Sequence, residues 1–391
     1  MIPGKVAPLV YSFDEGCLLY YPMTDKLLAL NRTGQTVWAM LREGCGEGEI
    51  ASAFACRFSI AEDLVLSDIR RLLSELEEAN SLNVAEEHEA ASLADSKDIV
   101  GAGEKDSAKF EDCGTYRFGE SRINVMSAVS EVDGEFMSRF RHRSVRDNTG
   151  CDNILVVEKG PSGHRLTVQG TLFEETTTIR RMLSSFVRLL LTLEHPGKAL
   201  LAYCHAAAVS RGGCALLMPG GSGVGKSTLT GFLVANGFAY LGDDICAIAE
   251  EDAALLPLPS CLSIKSGSWP ILEHIYPELA RLPPISRNGR VLRYVEPQQN
   301  YETMVSAVAP SAIVFPSFQA GDPTRLSALP PLQTMIRLVG AHAALIAPAT
   351  EEKLHKLVKF VENTPSYELT YSELPSALKA IEDLLAAQPQ Q

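Results

Sequence analysis

The stretch Gly220-Gly221-Ser222-Gly223-Val224-Gly225-Lys226-Ser227 satisfies every specified position of the pattern G-x-x-x-x-G-K-[ST]. The apolar run Cys214-Ala215-Leu216-Leu217-Met218 precedes it, and a helix-compatible segment, Ser227 to Ala235, follows. A strand, a glycine-rich loop and a helix in that order make a physical anion site. Glycines reach positive φ without a Cβ clash, so the backbone can wrap a polyphosphate. The loop N–H groups and the positive end of the helix then face the anion. In such a loop Lys226 reaches the β/γ-phosphates, and the Ser227 hydroxyl is placed to ligate Mg²⁺. The nucleotide-binding set expected from the pattern is therefore Gly220, Gly221, Ser222, Gly223, Val224, Gly225, Lys226 and Ser227.

Two further features lie close by in the sequence. Asp243-Asp244 sits between the apolar runs Phe238 to Leu241 and Ile245 to Ala249. A carboxylate there can hold Mg²⁺ or accept the proton of an attacking hydroxyl, and two allow both jobs. His205 opens the strand hairpin that leads into the loop. A lone histidine is more often structural than catalytic, and its place beside the nucleotide loop is what makes it a candidate. The N-K-x-D base-reading motif of GTPases is absent, which favours ATP.

The bulk composition narrows the class further. The chain has 391 residues and a formal charge of −13, which argues against a broad nucleic-acid or anionic-lipid surface. A local basic cluster, Arg139, Arg141, Arg143 and Arg146, reads as a solvated face or loop. There is no signal segment, and no apolar run long enough to cross a bilayer. Nine cysteines without a C-x-x-C pair fit reduced thiols in the cytoplasm. No H-E-x-x-H or similar metal spacing occurs.

Composition divides the chain into zones. Residues 1–84 carry three short strands, Leu9 to Phe13, Cys17 to Tyr21 and Leu27 to Leu30, with turns at Asp14-Glu15-Gly16 and Thr24-Asp25. Three helices follow: Thr33 to Arg42, with Thr33 as its cap; Glu47 to Arg57; and Ala61 to Asn80, with Leu64, Ile69, Leu72, Leu73 and Leu76 at helical spacing. This is a small winged-helix-like α+β domain. Residues 85–108 read as a flexible acidic linker. Residues 109–386 form an α/β domain. Its expected strands include Tyr116 to Val125, Asn153 to Val157, Arg165 to Gln169 and Ala312 to Phe315, and Tyr367 to Thr370 near the end. Its expected helices are Thr178 to Leu193, one near Leu332 to Leu345, Glu351 to Glu362 and a last one from Glu373. Residues 387–391 read as a frayed tail.

The segment His205 to Val209, Cys214 to Met218, the loop Gly220 to Ser227 and Leu241-Gly242-Asp243-Asp244 together resemble the HPr kinase/phosphorylase family, closely over Tyr203 to Ile248. The likeness extends weakly toward Tyr371 through Ser263 to Ser268, Phe315-Pro316 and Tyr371 to Leu374. It implies a P-loop kinase domain of HPr-kinase/PEP-carboxykinase-like type that phosphorylates serine in a small protein, using ATP and Mg²⁺. Carried over, Lys226 contacts the β/γ-phosphates, and Ser227 and Asp244 hold the metal. Asp243 is the candidate base, His205 supports it, and Thr228 adds a nucleotide contact. The roles of the two aspartates stay interchangeable at this level. The glutamate- and arginine-bearing segment used for reverse phosphorolysis is missing; Lys265, Arg290 or Arg325 are candidate replacement cations. Homo-oligomers are also implied by the family.

The N-terminal zone resembles PqqD-like peptide-binding modules, through Leu27 to Asn31, Thr33-Gly34, Trp38, a glycine-rich corner and the long leucine-rich helix. In such modules a leader peptide adds as a strand to the sheet beside the third helix. Here that places the peptide against Cys17 to Tyr21 and the Ala61 to Asn80 helix. The combined expectation is a serine kinase for a ribosomally made precursor peptide or small protein. The alternatives are a small-molecule kinase or carboxykinase-like enzyme, and a nucleotide-gated peptide-binding chaperone without phosphoryl transfer.

Overall fold

The computed structural model describes residues 8–21, 26–80, 110–129, 134, 136, 138–146, 151, 153–177, 179–221, 223–287, 290–296, 306–346 and 350–387. The Thr24-Asp25 turn, the linker 85–108 and residues 388–391 lie outside them. The chain forms two compact units: residues 1–105 with 330–339 and 347–358, and residues 106–329 with 340–346 and 359–391.

In the first unit, β1 (Leu9–Phe13), β2 (Gly16–Tyr21) and β3 (Lys26–Asn31) form an antiparallel sheet in the order β1-β2-β3. The middle strand β2 is buried along its whole length. Helices α1 (Arg32–Arg42), α2 (Glu47–Phe58) and α3 (Glu62–Asn80) follow. Cys17, Leu19 and Tyr21 of β2 pack with Leu30, Trp38 and Ala79. The cap of α1 is Asn31 and not Thr33: the Asn31 side-chain Oδ1 accepts from the Gly34 N–H at 2.8 Å. An amide side chain two residues earlier wins the orphan donor, and Thr33 falls inside the helix. In α3 the buried face runs through Val65 and Ile69, while Leu64 is 60% exposed. The expected stripe was therefore one residue out at its start. At the start of α2 the Gly46 N–H donates to Glu49 Oε2 at 2.9 Å, the one half of a capping box open to a glycine. Helices α7 (Pro331–Gly340) and, for the most part, α8 (Glu351–Asn363) also belong to this unit.

The second unit begins with β4 (Glu111–Phe118) and β5 (Ser121–Ser127). The single strand expected over Tyr116 to Val125 is thus a hairpin, turned at Gly119 with φ 57°. With β6 (Ser144–Val145), β7 (Asn153–Gly160), β8 (Gly163–Val168) and β9 (Thr171–Thr176) they make a six-stranded sheet, order β6-β4-β5-β7-β8-β9. Helix α4 (Ile179–Glu194) buries Phe186 and Leu190 among residues of that sheet.

The central sheet of this unit carries the loop. Its members are β11 (Ala206–Arg211), β12 (Cys214–Pro219), β13 (Ala239–Gly242), β19 (Pro310–Phe318), β20 (Arg325–Leu329) and β22 (Ser366–Tyr371), in the order β13-β11-β12-β19-β22-β20. The pairings β12–β19 and β19–β22 are parallel, and the other pairings are antiparallel. Helices α5 (Lys226–Ala235) and α9 (Leu374–Ala386) supply Leu229, Leu233, Ile381 and Leu384 to the same core. Strands buried on both faces read as unbroken apolar runs, as Ala215 to Met218 and Ala312 to Phe315 do. A smaller sheet joins β10 (Leu200–Cys204), β14 (Cys246–Ala249), β15 (Leu255–Leu256) and β21 (Ala344–Leu345), and a third joins β16 (Leu262–Lys265), β17 (Ile285–Arg287) and β18 (Arg290–Val295). Between β16 and β17 lies the short helix α6 (Trp269–Leu272). The helix expected over Leu332 to Leu345 stops at Gly340, and Ala344–Leu345 pairs with β10 instead.

Candidate functional site

The glycine-rich loop leaves the C-terminal end of β12 and enters α5, so its backbone amides sit at the carboxyl edge of parallel strands, where α/β sheets bind ligands. Gly223 and Gly225 have φ of 102° and 90°. At Gly225 a side chain is excluded twice over, because a Cβ would also collide with the Tyr371 hydroxyl. That hydroxyl donates to the Gly225 carbonyl at 3.2 Å, and Phe318 N–H donates to the Val224 carbonyl at 3.2 Å. The ends of β19 and β22 thus clamp the loop from behind. Ser222 lies outside the described residues.

Lys226 is 5% exposed, and its amine donates to the Gly220 carbonyl at 3.2 Å. The Ser227 hydroxyl donates to Asp243 Oδ2 at 3.1 Å. Asp243 Oδ1 accepts from the Asp244 N–H at 2.9 Å, and Asp243 is only 3% exposed. Each of its oxygens thus accepts one hydrogen bond and keeps a further lone pair. Asp244 has φ 73°, rare for a residue with a side chain, and this twist sends its carboxylate the other way. Asp244 lines a cavity of about 580 Å³, together with His205, Lys226, Ser227, Thr228 and Lys265. The far wall of the cavity is apolar, with Phe232, Ile271, Phe318 and Leu374. Thr228 shares a hydroxyl hydrogen bond with Ser268.

His205 sits at the bend between β10 and β11. Its N–H donates to Ala341 O at 2.9 Å, and its carbonyl accepts from Gly220 N–H at 3.2 Å. Nδ1 lies 2.7 Å from the Asp244 carbonyl oxygen. A carbonyl only accepts, so Nδ1 carries the proton. Burial, and next the charge of Lys226, push the imidazole below its ordinary range, against the pull of Asp244. The ring is thus neutral near pH 7 and serves as a brace for the Asp244 backbone. Burial, and then the charge of Asp244, raise the Asp243 carboxyl, with Lys226 opposing. Lys265 is lowered by burial and by Arg290.

Oxygen donors from a hydroxyl and carboxylates suit Mg²⁺, which keeps waters and phosphate oxygens as its other ligands. Among the described residues no cluster of three His, Cys, Asp or Glu forms a self-sufficient metal site. The Ser227–Asp243 pair fits a cation that arrives with a polyphosphate. The expected partner of Ser227 was Asp244; the side chain beside it is Asp243.

The basic cluster is resolved into separate roles. Arg139 is 7% exposed, lies 3.6 Å from Asp244 Oδ2 and donates to the Asp243 carbonyl at 3.2 Å. Arg141 pairs with Glu296 at 2.7 Å, and Arg143 pairs with the buried Glu194 at 2.8 Å. Only Arg146 is an exposed member. The solvated-face reading thus fails for Arg139 and Arg143. Nothing in the i, i+2 spacing signals this, because the partners lie 51 to 155 residues away.

In the second unit the glycine-rich loop, Lys226, Ser227, Asp244, His205 and Lys265 thus line one cavity. In the first unit, residues 16–82 match the family model for Coenzyme PQQ synthesis protein D (PqqD). The match takes in β2, β3 and helices α1–α3, which are therefore PqqD-like. No curated protein matches the chain. One expectation about this domain changes. Cys17 to Tyr21 is the middle strand, with β1 on one side and β3 on the other, so no added strand can pair with it. Among the described residues β3 pairs only with β2, and it too packs beside α3. No helix among the described residues is long and apolar enough to cross a membrane.

Proposed function

We propose that the protein is an ATP-dependent phosphotransferase that phosphorylates a serine of a precursor peptide or small protein, held by the PqqD-like domain. The observation that carries the reading is the division of labour in the acidic pair: Asp243 is locked on Ser227 at 3.1 Å, and Asp244 is turned into the cavity beside Lys226. The loop amides and Lys226 would bind and neutralise the phosphates, where phosphoryl transfer needs positioning and charge more than covalent chemistry. Mg²⁺, when bound with the nucleotide by Ser227 and Asp243, would add charge neutralisation. Asp244 would accept the acceptor's proton, and His205 would keep it aimed. This exchanges the aspartate roles that the family resemblance implies, because a base must reach the acceptor and Asp243 does not line the cavity.

The peptide partner rests on the PqqD-like domain. A leader segment would extend the sheet along β3, with main-chain hydrogen bonds giving affinity and α3 giving side-chain choice. Both sites are carried by one chain, so a held peptide meets the phosphate site at a raised effective concentration. Incubation of the full chain with Mg-ATP and candidate precursor peptides, followed by mass spectrometry, tests the proposal. A phosphorylated peptide, absent with Lys226→Ala, supports it. Transfer to a metabolite with indifference to the peptide refutes it.

A further inference from the structure

The geometry points to Arg139 as a positioning residue that holds Asp244 in its cavity-facing place. This rests on the reading of Asp244 as the base. Asp244 is a non-glycine residue at φ 73°, a backbone state that persists only when its surroundings over-determine it. Three backbone groups of that corner are tied. The Asp243 carbonyl accepts from Arg139 Nη2 at 3.2 Å. The Asp244 N–H is held by Asp243 Oδ1 at 2.9 Å, and the Asp244 carbonyl by His205 Nδ1 at 2.7 Å. The same Arg139 Nη2 lies 3.6 Å from Asp244 Oδ2, so one guanidinium group contacts both the backbone and the carboxylate. The side chains of this pair are 8% and 19% exposed, so water screens the contact weakly.

Arg139 is itself held firmly. Its carbonyl accepts from Cys261 N–H at 2.7 Å, just ahead of the strand that carries Lys265. Its neighbour Phe140 is buried against Phe118 and Phe136. The guanidinium is thereby delivered from the β4–β9 layer to an acidic pair more than 100 residues further on. Arg141 and Arg143, two and four residues on, are engaged by Glu296 and Glu194, so they cannot stand in for it. Arg139 Nη2 carries two N–H donors on a planar group and so reaches both acceptors; a lysine ammonium has the donors but sits on a flexible stem, which holds the two acceptors less firmly.

The test compares wild type, Arg139→Met, Arg139→Lys and Asp244→Asn for peptide phosphorylation, with KM for Mg-ATP measured separately and the Arg139→Met crystal structure solved. The expected result for Arg139→Met is a kcat lower by on the order of 100-fold with KM changed less than about threefold, and recovery of roughly tenfold in Arg139→Lys. In the crystal the Asp244 carboxylate should leave its place. An Asp244 carboxylate unmoved in Arg139→Met overturns the inference whatever the activity, as does a kcat equal to that of an active wild type. If the carboxylate moves but wild type and Asp244→Asn are equally inert, Arg139 positions Asp244 and the reading of Asp244 as a base is what fails. Should Arg139→Met not fold, Arg139→Lys carries the kinetic comparison: a kcat equal to wild type, with the backbone bond to Asp243 broken in its crystal structure, overturns the inference.

Discussion

The Ser227 hydroxyl meets Asp243, not its neighbour Asp244, across 3.1 Å. One peptide bond separates two carboxylates that face opposite ways, and the left-handed turn at Asp244 is the cause. On the proposed reading the pair therefore splits into a metal-side and an acceptor-side member, and the two should respond differently to substitution.

Asp244→Asn should lower kcat for peptide phosphorylation by about 100-fold or more, the scale of a lost general base, with little change in the Mg²⁺ requirement. Asp243→Asn should raise the Mg²⁺ concentration needed for half-maximal rate. Steady-state kinetics over a Mg²⁺ series separates them; the reverse pattern would restore the role order implied by the family resemblance.

Gly225→Ala should abolish nucleotide binding. The left-handed conformation costs a residue with a side chain about 1–2 kcal/mol, and the Cβ also collides with the Tyr371 hydroxyl, which clamps the loop. Calorimetric titration with Mg-ATP and a thermal melt should show lost binding and a lower Tm. Gly221→Ala is the comparison, since a Cβ there meets nothing within 4 Å.

Acid should destabilise the fold through its buried histidines. Burial, then Arg143, pushes His142 down to about 3 from 6.5. Its folded value lies below its unfolded one, so the unfolded chain takes the proton first. The stability it supports is full above pH 6.5 and is lost as pH falls toward 3, by about 1.4 kcal/mol per unit at most. His195 and His205, also lowered, act with the same sign. Asp243, raised, acts oppositely, costing stability as pH rises above the ordinary carboxylate range. Denaturant melts of wild type and His142→Gln between pH 7 and 4.5 isolate the first effect: the variant should lose about 2–3 kcal/mol less. Parallel curves would contradict the assignment.

Peptide binding should leave its mark on β3. In hydrogen exchange, amides of Lys26 to Asn31 should gain protection when a precursor peptide is added, while those of Leu9 to Phe13 stay unchanged. Protection confined to β1 would move the binding edge to the other side of the sheet.

Much of this was legible in the sequence where local rules act alone. The glycines and Lys226 of the loop, the apolar runs on either side of it and the three short N-terminal strands follow from spacing and turn chemistry. What the sequence could not convey is register and long-range pairing. That Cys17 to Tyr21 is the middle strand depends on hairpin order, not on its own residues. The exposure of Leu64 in place of Val65 is a one-residue phase error in a helix whose apolar positions allow either stripe. Tyr116 to Val125 looked continuous because the Gly119 turn interrupts an otherwise alternating run. The Arg139–Asp244 contact spans over 100 residues of chain and leaves no local trace, which is why a cluster of arginines read as surface.

The most direct measurement is mass spectrometry of a precursor peptide after incubation with Mg-ATP and either wild type or Asp244→Asn, with nucleotide binding confirmed for each. The account requires one added phosphoryl group on a peptide serine with wild type and none with the variant, both proteins binding ATP. Phosphopeptide formed equally by both, or none formed by a wild type saturated with ATP and peptide, would contradict it.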